Sequence, residues 1–166
     1  KVRDGEYLYV DKTDMIPQIL SQKSEGYLYT RPRRFGKSRN LSMLDAFFNI
    51  KYPKDNTWFD GLKVSDCREC DEHRNAYPVI YLDFKRLNSK DMETFNEKLS
   101  EMLSILYDSF GYLLDSKNIS IREAELIQMT IDEELTPSKM YSSILRLSEL
   151  LYKHYGKKII ILIDEY

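Results

Sequence analysis

The hydrophobic positions of the chain follow two different periods, which predict helices and strands in turn. Apolar residues recur at helical spacing in three segments, namely 41–48, 92–110 and 140–155. Two compact apolar runs, 77–84 (YPVIYLDF) and 159–163 (IIILI), are typical of strands instead, and the tyrosine-rich stretch 26–30 (GYLYT) predicts a third strand. Five consecutive aliphatic residues at 159–163 indicate a strand that is buried on both faces of a parallel sheet.

Capping residues and prolines mark the ends of the predicted helices. Thr13 or Asp14 is expected to cap a short first helix, and SIRE at 120–123 has the spacing of a capping box. Pro137 opens a last helix that ends at Gly156. Strands separated by helices predict an α/β layered fold with a mostly parallel sheet flanked by helices, and ligands of such folds bind at the carboxyl ends of the strands.

The composition restricts the class of protein. With 166 residues, 42% of them hydrophobic, the chain predicts one soluble domain over 1–166. A net charge of −2 gives no general attraction for nucleic acid, and the longest aliphatic run is far shorter than a membrane helix requires. The sequence does not begin with Met and shows no signal peptide, so we expect a cytoplasmic segment of a longer polypeptide.

Residues 31–38, RPRRFGKS, are the first candidate for chemistry. A helix start carries unpaired N–H groups and partial positive charge, and Gly36 would let the main chain approach a phosphate closely. Lys37 would reach the β- and γ-phosphates of a nucleotide, and the Ser38 hydroxyl would bind Mg²⁺. Arg31, however, stands where the usual phosphate-loop pattern has its first glycine. A basic turn capped by glycine therefore remains the alternative.

Two adjacent carboxylates at the end of the 159–163 strand are the second candidate. Asp164 would hold Mg²⁺, directly or through water, and Glu165 would orient or deprotonate the water that attacks a phosphate. Either acid could instead be a solvated loop residue. Both motifs are expected at the same edge of the sheet, in the chain order of mononucleotide-binding folds, and this coincidence favours nucleotide binding.

The chain resembles the predicted AAA-ATPase-like proteins of bacteria. The segments that carry the resemblance are YVDKT (9–13), YTRPRRFGKS (29–38), LSML (41–44), YPVIYLDF (77–84) and LIDEY (162–166). The resemblance implies a P-loop NTPase-like domain with ATP and Mg²⁺ as ligands, commonly followed by a nuclease-like domain of the PD-(D/E)XK type in the same polypeptide. It also implies that an arginine-bearing loop replaces the first glycine, so that Arg31 is a family feature.

The resemblance assigns a Walker A role to 31–38 and a Walker B role to 159–165. The expected nucleotide-binding residues are Arg31, Arg34, Phe35, Gly36, Lys37 and Ser38. The expected magnesium ligands are Ser38 and Asp164, and the expected catalytic residues are Lys37 and Glu165.

Two further features leave alternatives open. Cys67, Cys70 and His73 have zinc-like spacing, but four ligands are lacking, so a solvated loop with two reduced thiols is the favoured interpretation. Asp83, at the end of the 77–84 strand, would either support the magnesium ion or cap the following loop.

Three functions are consistent with these patterns. The leading hypothesis is a Mg-dependent ATPase module, a hydrolase, of a larger bacterial protein. The second is a non-hydrolysing module in which ATP orders loops for a partner. The third is a nucleic-acid-binding module that uses the arginines of 31–34. In P-loop proteins whose Walker B strand ends in an Asp-Glu pair, a strand later in the chain lies between that strand and the phosphate-loop strand. We expect this later strand to follow Tyr166 in the longer polypeptide, and we therefore expect the segment alone to hydrolyse little ATP.

Overall fold

The computed structural model describes residues 10–22, 24–30, 32 and 34–165, apart from the side chain of Arg86. The described helices are α1 (Met15–Ser21), α2 (Lys37–Phe48), α3 (Met92–Asp108), α4 (Ile121–Ile131), α5 (Pro137–Met140) and α6 (Ser143–Tyr155). The strands are β1 (Val79–Asp83) and β2 (Ile160–Asp164), and short 3₁₀ helices occupy Lys63–Asp66, Arg68–His73, Phe84–Leu87 and Gly111–Asp115. The α/β class is confirmed.

The chain divides into two compact units. The first consists of the described residues up to Tyr81 together with Ile160–Asp164, and the second consists of Leu82–Ile159 with Glu165. The interpretation of 1–166 as one domain stays a prediction. No helix in the described part of the chain is long and apolar enough to cross a membrane.

Helix α2 and strand β2 form the centre of the first unit. The buried side chains of its core are Ile16, Leu44, Phe47, Phe48, Phe59, Val64, Cys70, Val79 and Leu162. Phe47 packs edge-on against both Phe48 and Phe59, with ring centroids 5.2 and 5.1 Å apart. The apolar spacing that predicted α2 therefore places its buried face against the sheet, as expected for an α/β layer.

Strands β1 and β2 are neighbours in a two-stranded parallel sheet of the described residues. Leu162 and Asp164 are each 7% exposed, whereas Ile161 and Ile163 on the opposite face are 43% and 44% exposed. The prediction that this strand is buried on both faces is therefore wrong for the described chain. The core of the first unit covers only one face of β2 with apolar side chains. Because successive side chains of a strand alternate between faces, the side chains on the other face remain partly exposed.

The predicted strand at 26–30 does not form, and these residues have no regular secondary structure. The segment is fixed through side chains instead, because the Tyr27 hydroxyl donates to the Ile19 carbonyl oxygen at 2.7 Å. The rings of Tyr27 and Tyr29 also stack, with centroids 6.4 Å apart. A strand needs a neighbour for its backbone groups, and no described strand pairs with this one.

Asp11 and Thr13 connect the start of α1 to a distant loop. Thr13 is fully buried, and its hydroxyl oxygen accepts a hydrogen bond from the Val64 N–H at 3.1 Å. The carboxylate of Asp11 accepts from the Lys63 N–H at 2.8 Å. Burial raises the pKa of Asp11, but the hydrogen bonds from Lys63 and Thr13 outweigh it and lower the pKa below its ordinary value. Asp14 occupies the N-cap position without a side-chain capping bond.

Cys67 and Cys70 are joined by a disulfide, so the expectation of two reduced thiols is wrong. Cys70 is only 1% exposed and belongs to the core of the first unit. His73 stacks on Tyr77 and shares a hydrogen bond with its hydroxyl. No group of residues in the described chain has the composition and proximity of a zinc site.

The second unit is built from helices. Helix α3 packs against α4 and α5, and its buried Leu99 and Leu103 contact Leu135 and Met140. The predicted capping box is confirmed at the start of α4. The predicted last helix is divided into α5 and α6, because the Ser142 and Ser143 hydroxyls both donate to the Lys139 carbonyl oxygen, which competes with continuous helix.

Candidate nucleotide site at the start of helix α2

The N-terminus of α2 begins at a glycine in the left-handed conformation. Gly36 occupies the N-cap position with φ +77°, and no side chain caps the helix. The first turn contains no acidic residue. An α-helix leaves its first N–H groups without intrahelical partners and concentrates partial positive charge there. This end of α2 is therefore suited to an anion.

Cationic and apolar side chains surround this helix start. Lys37 is half-buried, whereas Arg34 and Arg39 are exposed. None of these three residues takes part in an ion pair with another described residue. Phe35 is 60% exposed, and Ser38 is also exposed. The positive charge of the segment is thus not neutralised within the described part of the molecule.

The backbone of the loop turns twice through the left-handed region. Arg34 has φ +67°, which is uncommon for a residue with a side chain, and Gly36 has φ +77°. Left-handed residues are common in anion-binding loops, where they help to direct backbone N–H groups toward the anion. Arg31, the first of the expected binding residues, lies outside the described residues.

Asp164 is the last residue of β2 and has a buried carboxylate, with 7% of the residue exposed. The hydroxyl of Tyr81, on the neighbouring strand β1, donates to its Oδ2 at 3.4 Å. Sequence reasoning did not identify Tyr81 as part of the site. The hydroxyl of Tyr81 within the largely apolar run 77–84 was the available signal, but which residue it faces depends on how two distant strands pair.

The structure groups only some of the expected site residues. Gly36, Lys37, Ser38 and Asp164 belong to the first unit, in which α2 packs against β2. Glu165 follows β2, is exposed, has φ +53° and belongs to the second unit. The assignment of Glu165 as a catalytic residue therefore stays a prediction.

Asp83 has a local structural role. Its Oδ1 accepts a hydrogen bond from the Lys85 N–H at 3.0 Å, and the residue caps the 3₁₀ helix Phe84–Leu87. Of the two alternatives for this carboxylate, the capping role is confirmed.

The expected magnesium ligands, Asp164 and Ser38, would suit an ion that a nucleotide also holds, and they do not form an all-protein metal cage. The described chain contains no group of three or more His, Cys, Asp or Glu side chains that could hold a metal. Mg²⁺ in nucleotide sites usually keeps several waters and takes one or two protein oxygens together with phosphate oxygens. Asp164 and Ser38 would offer one carboxylate and one hydroxyl of this kind.

Comparison with known proteins decides the family. The family model described as "Predicted AAA-ATPase" matches residues 1–166, the full length of the sequence. The chain belongs to the predicted AAA-ATPase family. Membership confirms the resemblance carried by those five segments and supports an ATP-related role.

A curated relative from Azotobacter chroococcum mcd 1 also matches this AAA-ATPase family chain. It is described as "Uncharacterized protein in vnfD 5'region", and the two are 29% identical over 167 residues. The match covers the whole chain but only 27% of the relative. No solved structure matches the chain.

Proposed function

We propose that residues 1–166 form a P-loop NTPase-like domain in which 31–38 bind the phosphates of ATP. The observation that carries the proposal is the start of α2, where a left-handed glycine precedes an uncapped helix whose first turn bears Lys37 and no acid. Family membership over the whole chain supports the same ligand. Arg31, Arg34 and Phe35 are proposed to complete the loop around the nucleotide.

Each residue of the site has a proposed role in binding. The N–H groups at the start of α2 donate to phosphate oxygens, and Lys37 adds a charge-assisted hydrogen bond. Ser38 and Asp164 would hold the magnesium ion that accompanies ATP. When bound, that ion neutralises negative charge on the phosphates and so makes them better acceptors of a nucleophile.

We further propose that the domain hydrolyses ATP as part of the longer polypeptide. Glu165 accepts a proton from a water molecule whose oxygen attacks the γ-phosphorus, and the bond between that phosphorus and the bridging oxygen breaks. ADP and inorganic phosphate are the products, and Lys37 stabilises the charge that develops on the phosphoryl oxygens.

A thermal melt with nucleotide tests the binding proposal. At 100-fold excess of Mg-ATP or Mg-ADP over its dissociation constant, a polypeptide containing this chain should gain about 2.7 kcal/mol of stability. For a domain of this length the midpoint should rise by roughly 5–10 °C. A folded protein whose melt is unmoved by millimolar nucleotide would refute the proposal, whereas a rise that disappears in Lys37→Ala would locate the site.

Phosphate release separates hydrolysis from nucleotide-gated binding. Glu165→Gln should abolish release of inorganic phosphate and leave ATP affinity unchanged, because the amide cannot accept the proton. If the full-length polypeptide binds ATP without releasing phosphate, the nucleotide instead orders loops that a partner reads. We propose a nuclease-like domain of the same polypeptide as that partner, consistent with the greater length of the matched relative.

A further inference from the structure

Tyr81 and Asp164 occupy adjacent strands of the two-stranded sheet. Tyr81 lies in β1 and is half-buried, and its hydroxyl is 3.4 Å from Oδ2 of Asp164, the last residue of β2. The Ile160 N–H donates to the Pro78 carbonyl oxygen at 3.0 Å, which fixes how the two strands pair near their amino-terminal ends. The sheet thus places a neutral hydrogen-bond donor beside the carboxylate.

A buried carboxylate needs hydrogen-bond partners. Removing such a group from water is costly unless hydrogen bonds replace the lost hydration, so buried polar groups normally have partners. Within the described residues, the hydroxyl of Tyr81 is the donor to Asp164, and it engages one of the two carboxylate oxygens. The other oxygen accepts no hydrogen bond from a described residue.

A second tyrosine–aspartate pair in the same unit shows what a purely structural arrangement looks like. The Tyr52 hydroxyl donates to Oδ2 of Asp45 at 3.0 Å. Asp45 also accepts from the Asn49 side chain at 2.6 Å and forms an ion pair with Lys51 at 3.3 Å. Both oxygens of Asp45 are therefore occupied by protein groups, which is not the case for Asp164.

We propose that Tyr81 is a positioning residue for the divalent cation that accompanies the nucleotide. Its hydroxyl holds the Asp164 carboxylate in one orientation by binding Oδ2, so that the remaining oxygen is available to the cation or to a water in its shell. Because outer hydrogen-bond partners orient metal ligands in this way, their loss commonly weakens metal affinity by 10- to 100-fold. This inference rests on the proposed function, since it concerns the same site.

Manganese binding provides a readout that does not depend on turnover. Mn²⁺ affinity would be measured by electron paramagnetic resonance with saturating ATP, and ATP affinity would be measured separately in the presence of EDTA. Tyr81→Phe should weaken Mn²⁺ binding about tenfold, with metal-free ATP affinity unchanged. Tyr52→Phe, which removes the same chemical group beside Asp45, should leave both affinities as in the parent.

A double-mutant cycle shows whether Tyr81 acts through Asp164. Asp164→Asn should weaken Mn²⁺ binding at least as much as Tyr81→Phe, and the double variant should show no further loss, because the two residues work as one unit. Additive losses would overturn the inference, as would parental Mn²⁺ affinity in Tyr81→Phe. If the parent protein itself binds neither ATP nor Mn²⁺ with ATP, the proposed function fails and the inference fails with it.

Discussion

Helices α3 and α4 of the second unit begin with side-chain caps, whereas helix α2 of the first unit does not. Asp91 caps α3 by accepting the Thr94 N–H at 2.8 Å, and α4 begins with the reciprocal box of Ser120 and Glu123. Helix α2 begins at Gly36, with no side-chain cap. Side chains thus accept N–H groups at the starts of α3 and α4, whereas no side chain caps the start of α2.

The charges at these helix starts follow the same division. Glu93 and Glu123 lie in the first turns of α3 and α4, where a negative charge is stabilised by the helix dipole. The first turn of α2 has Lys37 and Arg39, which the dipole opposes. An arrangement that is unfavourable for the helix alone becomes favourable once an anion is bound, and this contrast is the basis of the tests that follow.

The largest effect is expected from the lysine of α2. Lys37→Ala should lower ATP affinity tenfold or more, because it removes charge-assisted hydrogen bonds worth about 1.5–3 kcal/mol. Isothermal titration calorimetry would measure the affinity, and Lys117→Ala, an exposed lysine of the second unit, is the control. Parental affinity in Lys37→Ala, together with a loss in Arg34→Ala, would show that a different cation holds the phosphates.

Two glycines in the left-handed conformation allow the cost of backbone strain to be distinguished from an effect on ATP binding. Gly36 and Gly156 have φ +77° and +63°, and a Cβ at either position would meet no atom within 4 Å. Alanine should therefore cost roughly 1–2 kcal/mol of unfolding free energy at both sites, from backbone conformation alone. Only Gly36→Ala should also weaken ATP, since Gly156 ends α6. Equal ATP affinities in the two variants would argue against close approach of phosphate at Gly36.

Serine should have different functions at the two kinds of helix start. Ser120→Ala removes the cap of α4 and should lower the unfolding free energy by about 1 kcal/mol, measured by urea denaturation. Ser38→Ala should change stability by less than about half of this value, and should instead weaken Mg²⁺ in the nucleotide complex. A stability loss in Ser38→Ala as large as that in Ser120→Ala would remove the distinction between the helices.

The smallest effect is expected from Glu123, the acidic residue of the capping box of α4. A hydrogen bond from Lys153, followed by those from Ser120, lowers the pKa of Glu123 from 4.5 to about 2. A carboxyl group whose pKa is lower in the folded state stabilises the protein above its unfolded pKa, and that contribution is lost as the pH falls toward the folded value. The stability difference between the parent and Glu123→Gln should therefore shrink between about pH 5 and about pH 2.

Urea denaturation across this pH range would measure the Glu123 effect. Glu125→Gln, an exposed glutamate on the same helix, is the matched control. A difference between the parent and Glu123→Gln that stays constant, or grows with acidity, would contradict the assignment. Because the Glu123 side chain retains 28% of its exposure, solvent screening keeps the expected effect modest.

Local features of the sequence were sufficient to predict much of the fold. The apolar spacing of α2, the length of α3 and the capping box of α4 each depend on residues within a few positions of one another. The start of α2 was predictable for the same reason, because the glycine and the lysine that define it are adjacent in the chain. The division of the last helix was missed because the serine–backbone bonds that interrupt it are individually weak signals.

Features that depend on distant pairing could not be predicted. Tyr81 and Asp164 are 83 positions apart, and their hydrogen bond follows from strand register. The five aliphatic residues of 159–163 show that a strand is apolar, but not which layers of the fold cover its two faces. Whether Cys67 and Cys70 form a disulfide also depends on geometry and redox conditions rather than on their spacing alone.

The half-exposed face of β2 has a consequence for the colloidal behaviour of the segment. Ile161 and Ile163 belong to a β-branched run of the type that promotes intermolecular strand pairing when it is accessible. Exposed Lys157 and Lys158 precede this run and exposed Glu165 follows it, so charges flank the apolar stretch and oppose self-association. Salt screens such charges, with a Debye length near 10 Å at 0.1 M and near 3 Å at 1 M. Concentrated solutions of this segment should therefore aggregate more readily as the ionic strength rises.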